Sequence, residues 1–275
     1  MSYKTIMVHL HIGDANTAVL NVAKTVAERF NAKVIGAVVG QQTQIIYGRG
    51  YAMMDFFDLE ESQLEKEVNE TEALFRKKFQ GYAAGIEWRS KITREPMIDY
   101  IASEARCADL IITGIAQSDF FQGPAAVTAS EIVMKSGRPV LIVPNKVDNF
   151  KLNTILVGWK DTREARRAIA DAIPILQLAK EVTVFEVANK SDKKVSNQRL
   201  KDVENWLKAH DINASFVTHI AKDDDATDFV SIAKKQKANI VVAGAYGHSR
   251  WREWALGGVT DELLHNTNFC SFLSH

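Results

Sequence analysis

Apolar and polar positions along the chain form strand-like runs separated by helical patterns. Residues 6–10 and 33–39 are short apolar runs, and residues 16–30 between them place their apolar positions at the spacing of a helix. Strands that are almost continuously apolar are buried on both faces, which is typical of a parallel sheet covered by helices. The pattern therefore predicts an α/β domain built from strand–helix–strand units.

The same order of elements returns in the second half of the chain. Residues 155–159 are apolar, residues 164–178 have a helical pattern, and residues 182–187 form the next apolar run. In each half an acidic residue, Asp14 or Asp161, comes just before the helix, where it is predicted to be the N-cap. Repetition on this scale predicts two copies of one structural unit.

Later parts of the two copies also match. The apolar run 109–113, followed by Gly114, corresponds to the run 239–243, followed by Gly244. In doubly wound sheets, ligands bind beyond the carboxyl ends of the strands, at the point where the strand order reverses. Residues that directly follow these strands are therefore candidates for a binding site.

The fold class predicted from these patterns is α/β, with two tandem doubly wound parallel sheets of five strands each. The predicted domains are residues 1–146 and 152–275, and the run 140–143 is predicted as the last strand of the first copy. The first copy is longer than the second. We place its extra residues in the segment 40–61, which is rich in Gln and Gly and then in aromatic residues.

Composition narrows the class of protein without naming a function. Hydrophobic residues make up 46% and charged residues 25% of the chain, and 34 basic residues balance 34 acidic ones. A neutral chain without a basic stripe argues against general nucleic-acid binding. No stretch is apolar enough for a membrane span, and the start of the chain lacks the features of a secretion signal. Cys107 and Cys270 form no CxxC pair, so we expect two small residues in or near the core and a cytoplasmic location.

The stretch GAYGHSRWREWALGGVT follows an apolar run of the second copy and carries the clearest chemistry. Gly244 is followed after two residues by Gly247, and after nine more by Gly257 and Gly258, with a helix predicted to start near Thr260. Glycines allow backbone amides to approach an anion closely, and the start of a helix directs free amides toward negative charge. The arrangement favours a phosphate site, although it is neither a Walker A loop nor a G-x-G-x-x-G fingerprint.

This stretch resembles the G-2x-G-9x-G nucleotide loop of the universal stress protein family. GWKDTREARRAIADAIPIL resembles the family's first strand and helix, and WRSKITREPMIDYIASEARCADLIITG and SGRPVLIVP resemble the first half of its tandem branch. The resemblance covers nearly the whole chain. It implies an adenine nucleotide alpha hydrolase-like fold in which the two copies pack as a pseudo-dimer.

The resemblance also implies a ligand, namely ATP, with ADP or AMP as alternatives and Mg²⁺ as a candidate ion. Asp161 would lie near the ribose or the adenine, and the backbone of Val187 would face the adenine edge. Gly258 stands where the family has Ser or Thr, which removes one phosphate contact. The implied site consists of Trp159, Lys160, Asp161, Val187, Gly244, Gly247, His248, Gly257, Gly258, Val259 and Thr260.

The first copy departs from the loop pattern. Gly114 is kept, but Gln117 stands where the second glycine is expected, and Pro124, Ala125 and Ala126 occupy the region of the third. Proline removes an amide donor, and alanine restricts the backbone. We therefore expect the first copy not to bind a nucleotide as the second does.

The predicted function is an ATP-binding regulatory or stress-response protein, with at most slow ATP hydrolysis because no general base is evident. One alternative is a sensor or carrier of a small molecule, lipid or metal through the first copy. A second is a structural partner without nucleotide, and a homodimer of the tandem chain is also a candidate. His9 and His11 share one strand face and could ligate a metal, but no third ligand is near them in sequence. Lys160 and Asp161 could instead be only a strand end and a helix cap.

Overall fold

A computed structural model describes residues 2–42, 54–116, 126–147, 150–188, 193–220, 225–247, 258–265 and 268–275. The chain divides into two compact units, Tyr3–Arg138 and Pro139–His275. Each unit contains parallel strands and helices that pack on them. Within the described residues, no helix combines the length and the apolar character that crossing a membrane requires.

The first unit is an α/β sheet of four described strands. In chain order its elements are β1 (Thr5–His9), α1 (Thr17–Phe30), β2 (Lys33–Gln41), α2 (Met54–Lys78), β3 (Ile86–Thr93), α3 (Met97–Glu104), a 3-10 helix (Ala105–Cys107), β4 (Leu110–Gly114) and α4 (Ala129–Lys135). The strand order is β3-β2-β1-β4, and each pairing is parallel. The apolar face of α1 is buried, as its helical spacing predicts.

The second unit has six described strands. Its elements are β5 (Val140–Val143), β6 (Thr154–Trp159), α5 (Arg163–Asp171), α6 (Ile173–Leu176), β7 (Glu181–Ala188), α7 (Lys193–Ala209), β8 (Ala214–Ile220), α8 (Asp225–Lys235), β9 (Ile240–Gly244), α9 (Gly258–His265) and β10 (Cys270–Ser274). β10, β9, β6, β7 and β8 pair in parallel in that order. The predicted α/β class, with mostly parallel sheets, is confirmed.

One pairing of the described strands is antiparallel. β5, expected to be the last strand of the first copy, pairs antiparallel with β10 in the second unit. All four residues of β5 are buried, so this short apolar strand is covered on both faces. The pairing supplies partners for the backbone groups of β10 that would otherwise lie at a sheet edge.

The helix predicted over residues 164–178 is interrupted. α5 ends at Asp171 and α6 begins at Ile173, with Ala172 between them at φ −83° and ψ −9°. Pro174 has no amide hydrogen to donate to the carbonyl four residues earlier, and its ring crowds that turn. The apolar periodicity continued across the break, which is why the pattern alone predicted one helix.

The helix caps also differ from the prediction. Thr162, not Asp161, caps α5, because its hydroxyl oxygen accepts a hydrogen bond from the Ala165 amide at 3.3 Å. Asn16, not Asp14, stands at the start of α1, and its side chain bonds the backbone of His11 instead of the helix. Asp161 is thereby left available for other interactions.

The extra length of the first unit lies partly in a helix. α2 has 25 residues, whereas α7, at the matching place in the second unit, has 17. The first residues of α2, 54–61, belong to the segment 40–61, where sequence analysis placed the extra residues. Residues 43–53 of that segment lie outside the described residues.

The two cysteines lie in different environments. Cys270 is 1% exposed on β10, and burial raises the pKa of its thiol to about 12. Cys107 is exposed at the end of the 3-10 helix. Cys270 therefore lies in the core, as expected, whereas Cys107 lies at the surface.

Because the thiolate is the reactive form of cysteine, this difference predicts selective alkylation. With iodoacetamide at pH 8, we expect Cys107 to be modified in the native protein and Cys270 only after denaturation. Peptide mass spectrometry over time measures both rates. Equal native rates at the two positions would contradict the burial of Cys270.

Candidate functional site

The carboxyl ends of β6, β7 and β9 meet along one side of the second unit. β6 lies between β7 and β9, and the register pairs Val157 with Val242 and Trp159 with Glu186. The chain leaves β6 through α5 to reach β7 on one side, whereas β9 lies on the other side. The strand order thus reverses between β6 and β9, which is where ligands bind in doubly wound sheets.

Gly244, at the end of β9, lies directly beneath the first turn of α5. A Cβ atom added there would be 2.5 Å from the backbone nitrogen of Ala165 and 2.5 Å from the carbonyl carbon of Glu164. Backbone atoms cannot move aside as a side chain can. Gly244 therefore allows α5 to pack closely on β9, a role that its place in the predicted phosphate loop did not indicate.

Gly247 lies against side-chain oxygens at the start of α5. A Cβ atom there would be 2.9 Å from Oε2 of Glu164 and 3.3 Å from Oγ1 of Thr162. Glu164 is only 6% exposed. Sequence analysis did not single out Glu164, although an acidic residue in the first turn of this helix was visible.

The carboxylate of Glu164 is ionised at neutral pH. Burial alone would raise its pKa, but its own backbone amide and the Arg163 side chain donate hydrogen bonds to it, and the charges of Arg163 and His275 add to them, so the net effect lowers the pKa. Arg163 Nη2 is 2.8 Å from Oε1. A negative charge consequently lies beside Gly247, where the predicted phosphate loop begins.

The two ends of that loop are joined through Thr260. Thr260, on the first turn of α9, is 6% exposed, and its Oγ1 accepts a hydrogen bond from the Tyr246 amide at 3.4 Å. Tyr246 has a φ of +59°, a left-handed backbone conformation that turns the chain sharply. The bond uses the oxygen of Thr260 and leaves the hydroxyl hydrogen unused by that contact. Gly258 is exposed and Val259 half-buried on the same turn.

Asp161 lies at the carboxyl end of β6 and is partly exposed. Its Oδ1 accepts a hydrogen bond from Arg166 Nη2 at 3.1 Å, and its Oδ2 is 4.0 Å from Arg199 Nη1. Lys160 beside it is exposed. Trp159 is 9% exposed, and its indole N–H is buried with no hydrogen-bond partner among the described residues.

The predicted site residues that can be described do gather at this edge. Val187 is the penultimate residue of β7, half-buried and paired with His219. His248 and Gly257 lie outside the described residues, as do Arg250, Trp251, Arg252 and Trp254 of the same loop. The structure adds side chains that sequence analysis missed: Glu164, Glu186, Arg199, Tyr246 and His275, whose Nδ1 is 3.1 Å from the Ala245 carbonyl.

Comparison with known proteins supports the resemblance. The model of the universal stress protein family matches residues 151–269. This segment is a universal stress protein domain. No curated protein matches the chain significantly.

Solved structures extend the fold likeness to the whole chain. A universal stress protein from Archaeoglobus fulgidus DSM 4304 is 14% identical, with a TM-score of 0.74, over 98% of this chain and 97% of its own. A functionally unknown protein from Pseudomonas aeruginosa PAO1 is also 14% identical, with a TM-score of 0.61, over 99% of this chain and 92% of its own. A universal stress protein in complex with cAMP is 21% identical, with a TM-score of 0.35, over 52% of this chain and 98% of its own.

In the first unit, the edge that corresponds to the site of the universal stress protein domain holds two buried histidines. His9 Nδ1 is 2.9 Å from Thr113 Oγ1, and the rings of His9 and His11 lie 4.7 Å apart. The two histidines therefore lie together, as their spacing predicts. The described residues contain no group of three or more His, Cys, Asp and Glu side chains suited to a metal. Of the departures from the loop pattern, Ala126 is exposed, and Gln117, Pro124 and Ala125 lie outside the described residues.

Proposed function

We propose that the second unit binds ATP or a closely related adenine nucleotide, and that the protein acts as a nucleotide-dependent regulator of the stress-response type. The observation that carries this proposal is the closure of the glycine loop, in which the Tyr246 amide donates to Thr260 Oγ1 at 3.4 Å. This contact brings the start of the loop to the first turn of α9. Free amides of a helix start, together with a hydroxyl, are suited to phosphate oxygens.

Charge at this edge favours a nucleotide that arrives with a cation. The ionised Glu164 carboxylate beside Gly247 repels a bare triphosphate, whereas Mg²⁺ between carboxylate and phosphates converts that repulsion into attraction. Arg163, whose side chain is 79% exposed, adds positive charge at the same place. We therefore propose Mg²⁺–ATP as the preferred ligand, with ADP and AMP binding more weakly.

The remaining polar groups suit the nucleoside. Asp161 is partly exposed at the end of β6 and can accept hydrogen bonds from ribose hydroxyls. The backbone at Val187, near the end of β7, lies on the neighbouring strand and is proposed to face the adenine edge. We further propose a cytoplasmic location, a homodimer of the tandem chain and at most slow ATP hydrolysis.

Titration calorimetry with ATP and Mg²⁺ tests the proposal on the wild type and on Gly247→Val. We expect one site per chain in the wild type and an affinity at least about tenfold lower in the variant, which corresponds to ~1.4 kcal/mol. The added side chain would occupy space beside the Glu164 carboxylate. A carboxylate at the end of a side chain can rotate away, so we expect the variant to fold.

Gln117→Val is the matched control, because Gln117 follows Gly114 at the same spacing as Gly247 follows Gly244. We expect it to bind ATP like the wild type. A folded wild type that releases no binding heat and retains no nucleotide on a filter would overturn the proposal. An equal loss in both variants would exclude the second-unit loop as the specific site.

A further inference from the structure

A buried acid lies next to the proposed nucleotide site. Glu186 on β7 is 3% exposed and lies in register between Trp159 on β6 and Thr218 on β8. A buried carboxylate is costly unless it is paired and hydrogen-bonded. Glu186 meets that requirement, since Oε2 accepts a hydrogen bond from Ser196 Oγ at 2.5 Å and Oε1 accepts one from Arg199 Nη2 at 3.1 Å.

The guanidinium of Arg199 connects this buried acid to Asp161. Arg199 projects from α7, with Nη2 on Glu186 and Nη1 4.0 Å from Oδ2 of Asp161. Because the guanidinium is planar, holding one nitrogen on Glu186 restricts the direction of the other. Arg199 Nε is buried and has no hydrogen-bond partner among the described residues.

Asp161 is hydrogen-bonded by one guanidinium, approached by a second and open to solvent on a third side. Arg166 Nη2 bonds Oδ1 at 3.1 Å, Arg199 approaches Oδ2, and the Asp161 side chain is 44% exposed. A carboxylate has about four lone-pair positions, so two guanidinium contacts leave room for hydroxyl donors. The Arg166 contact is on the surface and orients Asp161 weakly, whereas Arg199 is anchored by a buried charge.

We infer that Arg199, clamped by Glu186, is a positioning residue that orients Asp161 toward the ribose hydroxyls of the nucleotide, an inference that rests on the function proposed above. It makes the site selective for ribonucleotides over deoxyribonucleotides. A site that accepts a hydroxyl donor discriminates against an analogue without it, because its acceptor is then left unpaired.

The test compares ATP with 2′-deoxy-ATP and 3′-deoxy-ATP by calorimetry in the presence of Mg²⁺. In the wild type we expect at least one deoxy analogue to bind about tenfold more weakly than ATP, the effect of one lost hydrogen bond to a charged group. Arg199→Lys keeps the charge without the planar fork, and Glu186→Gln keeps the shape without the charge. In both variants, we expect the ratio of the affinity for ATP to the affinity for the deoxy analogue to fall to about twofold or less. The affinity for the deoxy analogue itself should stay within about twofold of the wild-type value.

A double-mutant cycle separates positioning from general structural support. In an Asp161→Asn background, Arg199→Lys should cause no further loss of ATP affinity, because its effect passes through Asp161. Arg167→Lys, on the exposed face of α5, is the matched control and should leave the ratio unchanged. Thermal unfolding checks that each variant is folded.

The outcomes distinguish the two proposals. A wild type that does not bind ATP overturns the proposed function and this inference with it. A wild type that binds ATP without discriminating between the analogues overturns the inference alone. The inference is also overturned if a folded Arg199→Lys or Glu186→Gln variant keeps the wild-type ratio of ATP affinity to deoxy-analogue affinity.

Discussion

Gly244→Ala is expected to destabilise the second unit by about 2–3 kcal/mol, within the range seen when atoms are forced into a packed core. The added Cβ would lie 2.5 Å from Ala165 N and 2.5 Å from the carbonyl carbon of Glu164. Relief requires α5 to move away from β9 as a rigid element. Urea unfolding of the full chain, followed by hydrogen exchange in α5 and β9, measures the loss.

Gly247→Ala is the matched control, since it adds the same methyl group three residues later. Its nearest neighbour is Oε2 of Glu164 at 2.9 Å, a side-chain atom that can rotate. We expect a cost below about 1 kcal/mol, typical of substitutions that need only side-chain adjustment. Equal losses in the two variants would show that close packing of α5 on β9 does not limit the stability of this unit.

The comparison of these glycines shows how far the sequence could predict the site. Spacing alone placed Gly244 and Gly247 in one phosphate loop and could not distinguish their roles. The distinction depends on which atoms of α5 approach each glycine, and that follows from the packing of a helix on a strand. A glycine beside a backbone atom and a glycine beside a side chain look the same in a sequence.

Most elements of the fold were predictable because burial on both faces leaves a clear apolar pattern. β1 and β6, for example, lie within one residue of the predicted runs 6–10 and 155–159. The antiparallel pairing of β5 with β10 was not predictable, because the apolar pattern of a four-residue strand does not reveal the direction of its neighbour. Pro174 indicated a break in the helix, but the apolar periodicity continues across it and led us to predict one helix.

Within the site, the polar network around Glu186 was hidden for a different reason. Glu186 lies within a run of alternating apolar residues, and Arg199 and Ser196 come from a helix that loop motifs do not include. Their proximity depends on the parallel pairing of β7 with β6 and on the direction of α7. Sequence analysis could recognise Asp161 by its place after a strand, but not the side chains that hold it.

The buried histidines of the first unit predict that this unit loses stability in mild acid. Burial lowers the pKa of His9 well below its usual value, and the charge of His11 lowers it further. Burial also lowers the pKa of His11, against the opposing effects of Asp14 and of a hydrogen bond with the Gly114 backbone. Around the pair, Thr113 on β4 provides a hydroxyl and Asp14 provides a charge.

Both histidines bind protons more readily in the unfolded chain, where their pKa is about 6.5. The stability that the neutral histidines contribute is therefore fully present above about pH 6.5. It is lost as the pH falls toward their pKa values in the folded state, by up to ~1.4 kcal/mol per pH unit for each histidine. We expect hydrogen exchange in β1 and β2, corrected for the intrinsic pH effect, to accelerate between pH 7.5 and 5.5 more than in β6 and β9. The described histidines of the second unit, such as His265 and His275, are less buried.

His11→Gln should make hydrogen exchange in β1 less dependent on pH, even if the substitution changes the overall stability of the unit. If the pH dependence of exchange in this variant equals that of the wild type, groups other than His11 cause the acid sensitivity.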